Sequence, residues 1–123
     1  MKRIMLAVGL GISMNCFAES DQDFESKYFE VMDDANLAQI KKYQFSEKHK
    51  NSTLSEADKV EEKKLDCLAL KTELSFYQLV NNNPDAYVQY MKKQGLNFSY
   101  NAEKFKKGID EVDQKLKSTG CTN

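Results

Sequence analysis

A single proline, Pro84, interrupts a chain whose apolar residues recur at steps of three and four from Phe24 to Leu116. That period is the one an α-helix imposes. With Lys, Glu, Leu and Ala filling these segments, the chain is expected to be all-α, a small bundle of four to five helices.

Local signals divide the bundle. Ser20-Asp21-Gln22-Asp23 offers a hydroxyl cap and early acids, after which Phe24, Tyr28, Val31 and Ala35 share one face. Asp33-Asp34-Ala35-Asn36 competes for backbone hydrogen bonds, and Leu37, Ile40 and Tyr43 begin a shifted stripe. This stretch reads as one helix, or as two with a break or kink near Asp33. Lys48 to Thr53 is a polar connection, and Ser55 with Asp58 three residues on marks the next helix start.

Within that helix Leu65, Leu68, Ala69, Thr72, Phe76 and Leu79 form one apolar strip, with Cys67, Leu70, Leu74 and Tyr77 beside it. A helix apolar over so much of its circumference packs on several sides, and belongs at the bundle's centre. Asn83 should cap the next helix, with Pro84 in its first turn and Gly95 at its end, Leu96 supplying the apolar contact beyond the glycine. The last helix begins near Ser99 or Asn101 and carries Phe105, Ile109, Val112 and Leu116 on one face. Glu103 and Lys107, Glu111 and Lys115, and Asp113 and Lys117 are spaced for ion pairs on the other, and Gly120 stops the helix.

The first 18 residues have a different character. Lys2 and Arg3 precede an uncharged run from Ile4, and Cys16-Phe17-Ala18 places small residues at the −3 and −1 positions before Glu19. These are the parts of a cleavable secretory signal peptide. The apolar run is far shorter than the ~20 residues of a permanent transmembrane helix, so no stable membrane anchor is expected. Ser13-Met14-Asn15 does not resemble a lipoprotein cleavage box, so Cys16 is expected to leave with the signal. Residues 19–123 then form a single helical domain, periplasmic or secreted.

An exported domain meets oxidising conditions. Cys67 and Cys121 remain after cleavage and are expected to staple the C-terminal tail to the middle of the chain. A free thiol pair, a metal site and an intermolecular bridge are the other readings of the two cysteines. Without Lys2 and Arg3 the domain is acidic overall, which argues against nucleic acid as a partner. Residues 19–36 hold seven acids and one lysine, whereas Lys41, Lys42, Lys48 and Lys50 give the following stretch a basic lean. Such a run is read first as a solvated face and second as a surface for a cationic partner.

The residue types that enzyme chemistry requires are nearly absent. His49 is the sole histidine and, between Lys48 and Lys50, reads as a solvated loop residue. There is no Cys-x-x-Cys and no glycine-rich phosphate loop. Asp33 and Asp34 are adjacent and do not follow the alternate spacing of a calcium loop. The expectation is a protein that is not an enzyme, with no cofactor and no metal. Asn51-Ser52-Thr53 and Asn97-Phe98-Ser99 are glycosylation triplets, to which no role is assigned.

The densest aromatic segment runs from Tyr87 to Tyr100. Tyr87, Tyr90, Phe98 and Tyr100 are the candidate partner-binding residues, since Tyr is enriched where interfaces are strongest; sealing the bundle's end is the simpler use of the same side chains. In general plan, a signal peptide, about a hundred helical residues and one disulfide resemble several small bacterial periplasmic proteins, among them immunity proteins, acid-stress chaperones and secretion pilot proteins. That resemblance implies protein–protein binding and transfers no functional residue. The leading expectation is an immunity-protein-like binder that inhibits or neutralises another exported or envelope protein, a homodimer being one form of such binding. The alternatives are an acid-responsive, chaperone-like envelope-stress protein and a small-ligand carrier.

Overall fold

The computed structural model describes residues 21–97 and 99–121, and among them there are four α-helices and no strand. Residues 1–18, read above as a signal peptide and including Cys16, lie outside the described residues, as do Ser20 and Phe98. The helices are α1 (Asp21–His49), α2 (Glu56–Asn82), α3 (Pro84–Lys93) and α4 (Ala102–Ser118).

Helix α1 is continuous over 29 residues. The sequence at Asp33-Asp34-Ala35-Asn36 does not break it, because Ala38 just beyond is fully buried and Val31 and Ala35 are half-buried on the same side. Packing of that face outweighs the local preference of the polar residues. The continuity of the helix also fixes the direction of its C-terminal half. Leu37, Ile40 and Tyr43 are not a core stripe resumed after a kink; they point away from the bundle.

The start of α2 follows its sequence signal. Ser55 Oγ accepts from the Asp58 N–H and the Asp58 carboxylate accepts from the Ser55 N–H, both at 3.1 Å. Each side chain thereby satisfies an amide that the first turn would leave unpaired. The Ser55 backbone bond, and then its side-chain bond, hold the Asp58 carboxyl below the ordinary carboxylate range. Because the folded state depresses this value, the contribution is present at neutral pH and fades as pH falls through the folded value. Ser55→Ala is expected to cost about 1 kcal/mol, read from the urea midpoint at neutral pH.

Asn83 does not cap α3 with its side chain. Its Nδ2 donates backwards to the Leu79 carbonyl at 2.9 Å and so closes α2. Pro84 still starts α3, where its missing N–H costs nothing. At the far ends of α3 and α4 the same stop occurs twice. Gly95 and Gly120 take φ of 81° and 74°, the left-handed conformation that glycine adopts without penalty. The next amide then reaches back, Leu96 N–H to the Met91 carbonyl at 3.0 Å and Cys121 N–H to the Leu116 carbonyl at 2.9 Å. Leu96 makes no apolar seal there, being 53% exposed. At the second stop the corresponding position is a cysteine.

Helix α4 starts on Asn101, whose side chain accepts from the Lys104 N–H at 3.1 Å. Val112 and Leu116 are buried on its inner face, and of the spaced charges Asp113 and Lys117 close to 3.0 Å. Helix α2 is central, packing on α1 and on α4, while the short α3 lies against α1 and α2. Phe24, Val80, Tyr87 and Tyr90 are the buried cluster where α1, α2 and α3 meet, with Tyr28, Phe76 and Phe105 around it. Cys67 in α2 is bonded to Cys121, their Cα atoms 5.6 Å apart, within the separation a disulfide needs.

Candidate functional site

The arrangement of α1 on the bundle decides which of its residues remain available. At 100° per residue, Phe24, Tyr28, Val31, Ala35 and Ala38 fall on one side, and it is the side facing the other helices. Phe29, Leu37, Ile40 and Tyr43 fall on the opposite side. Their exposures are 54%, 50%, 51% and 66%. The stripe from Phe29 to Tyr43 is ~21 Å long at 1.5 Å per residue. Half-exposed side chains of this size leave on the order of 400 Å² of apolar surface along this face, with the exposed Asp33 and Asn36 set between Phe29 and Leu37.

Charge is ordered along one edge of this stripe. Glu30 and Asp34 flank its N-terminal half, Lys41 and Lys48 its C-terminal half, and all four are exposed. Asn36 lies near the middle, also exposed. Among the described residues, Glu30, Asp34 and Lys41 form no intramolecular ion pair. On its flank facing the bundle α1 is tied down, by Glu25 with Lys93 at 2.6 Å and Lys42 with Asp66 at 3.3 Å.

The aromatic segment singled out in the sequence lies elsewhere. Tyr87 and Tyr90 are buried, 6% and 9% exposed, which corrects their assignment to a partner surface. The Tyr90 ring lies 4.9 Å from that of Tyr28, and Tyr87 lies 5.8 Å from Phe105. Tyr100 is half-buried, stacks on Phe105 at 5.2 Å and donates its hydroxyl to Asn81 Oδ1 at 2.7 Å. Loss of hydration raises the phenol pKa of Tyr28, Tyr87 and Tyr100 above the ordinary value. These three residues fill and close the bundle's end. Phe98 lies outside the described residues.

His49 is not a solvated loop residue. It ends α1 with its side chain only 15% exposed, its ring tilted against that of Phe45 with centroids 4.4 Å apart, and its Nδ1 is 3.8 Å from Asp58 Oδ2. It lines an open cleft of about 320 Å³ between α1 and α2 with Phe45, Leu54 and Leu65. Asp33 and Asp34 are exposed on the outward half of α1. Among the described residues no group of three or more His, Cys, Asp or Glu side chains is placed to hold a metal ion. Nor is any described helix long and apolar enough to cross a membrane.

Sequence reasoning singles out Leu37, Ile40 and Tyr43 as a shifted stripe but does not say which way it faces. The signal that identifies them is their angle to Phe24, Tyr28 and Ala38 around one unbroken helix, which only an uninterrupted α1 makes meaningful. No protein-family model matches the chain, and no curated protein or solved structure matches it either.

Proposed function

We propose that this protein works by binding another exported protein, and that the outward face of α1 is the surface it uses. The observation that carries the reading is the line of Phe29, Leu37, Ile40 and Tyr43, exposed on a helix whose opposite side is anchored in the bundle. Large apolar side chains gathered on a rigid, preformed helix are what a partner can cover at low entropic cost. The mixed charge at the edge supplies a polar rim that orients the encounter. A disulfide between Cys67 and Cys121 suits an oxidising compartment, which fits with the leader-like first 18 residues. Covering a partner's site, as an immunity protein does, is the form of binding that a stapled helical scaffold serves best.

Ile40→Glu tests this reading. The position is exposed, so folding stability should change by no more than about 0.5 kcal/mol. Binding to the partner, measured by calorimetry after affinity capture from the envelope, should weaken about tenfold or more as a charge enters the apolar contact. A partner held equally by both forms would place the binding surface elsewhere.

A further inference from the structure

We infer that, when no other protein holds it, the outward face of α1 is filled by the α1 of a second copy, the two helices antiparallel about a two-fold axis at Asn36. This rests on the reading of that face as a binding surface and names its occupant. In an antiparallel pair of identical helices each edge meets its own copy, so residues equidistant from the axis lie opposite one another. Phe29 and Tyr43 are each seven positions from Asn36, and the symmetric pairing sets Phe29 of one copy against Tyr43 of the other. Leu37 and Ile40 then fill the centre of the contact.

The charged edge selects this arrangement. Lys41 of one copy falls between Glu30 and Asp34 of the other, three exposed groups that form no ion pair within the described residues of their own chain. Two-fold symmetry makes the match twice. In a parallel two-fold pairing this edge would instead meet the opposite edge of the partner helix, where Met32, Gln39 and Ser46 carry no charge, and Lys41 would meet neither acid. At the axis Asn36 meets Asn36, and an amide can both donate to and accept from its twin, the kind of polar pair that fixes register in helical dimers.

The area fits a reversible dimer. The two stripes together remove on the order of 800 Å² of apolar surface, and the polar flanks bring the total near the lower end of specific interfaces. Such a contact is broken by a better partner and reformed by mass action.

Sedimentation of the purified, oxidised protein across a concentration series tests the inference. A monomer–dimer equilibrium is expected, with Ile40→Glu raising the dissociation constant about 100-fold. Lys41→Glu should weaken self-association about tenfold, and Glu30→Lys with Asp34→Lys should do the same. Mixed together, these two oppositely charged forms should make a mixed dimer tighter than either forms alone, each retaining wild-type circular dichroism. In a parallel dimer Lys41→Glu would have no such effect, and that result would overturn the arrangement. A wild-type protein that stays monomeric yet binds another exported protein in an Ile40-dependent manner would overturn the second copy as occupant while keeping the face. A monomer that binds nothing through Ile40 would overturn both.

Discussion

Cys121→Ser is expected to lower the stability of the oxidised protein by about 4 kcal/mol in the chain-entropy account of cross-links. The bridge joins residues 54 positions apart, so in the unfolded chain it forbids a large set of conformations that the native state never uses. Against a total stability of about 5–15 kcal/mol for a small domain, that is a large share. The local geometry adds to it. Cys121 directly follows the left-handed Gly120, and its amide is bonded to the Leu116 carbonyl. In helix stops of this kind the residue at that position commonly packs an apolar side chain back on the helix; here it makes a covalent bond to α2. Thermal unfolding under oxidising conditions checks the prediction, and a reducing agent should bring the wild-type protein down to the variant. Equal melting temperatures for the two oxidised proteins would show that the bridge contributes nothing.

Phe24→Ala should cost about 3–5 kcal/mol, the range seen when a large aromatic is removed from a packed core. Phe24 is fully buried, its ring 5.7 Å from Tyr28 and 6.4 Å from Tyr87. It lies in the first turn of α1, where a helix is held by few backbone bonds of its own. The cavity would open where α1, α2 and α3 converge, and the neighbouring rings are too interlocked to collapse into it without giving up contacts with Phe76 and Phe105. Denaturant unfolding gives the loss directly. A change below about 1 kcal/mol would mean that the site is far more yielding than close-packed interiors are.

Much of the fold was legible because its punctuation is chemical. Ser55 with Asp58, Pro84, Asn101, Gly95 and Gly120 act through backbone groups a few residues away, so their spacing alone places helix ends. The central position of α2 followed from its breadth of apolar surface, and the cysteine pairing from there being one intramolecular choice. What could not be read were directions. Apolar residues on two opposite sides of α1 say that two surfaces exist, not which one the other helices cover. With Asp33-Asp34-Ala35-Asn36 readable either as a break or as part of one helix, the direction of Leu37, Ile40 and Tyr43 stayed open, and the unbroken α1 settles it. Tyr87 and Tyr90 present the converse difficulty, since an aromatic that seals a bundle and one that meets a partner have the same side chain. His49 between two lysines looked solvated, and only the return of α2 brings Asp58 and Leu65 up to it.

The bond between Cys67 and Cys121 also sorts the molecule topologically. With it in place, the second part of α2, all of α3 and all of α4 form a closed covalent ring, and α1 is a pendant arm attached to that ring through the connection between His49 and Glu56 and the first part of α2. One cut anywhere in the ring opens it without separating the pieces, whereas one cut in the connection severs the arm. The helix that carries the exposed stripe is therefore the part held to the rest by side-chain packing alone once that connection is gone.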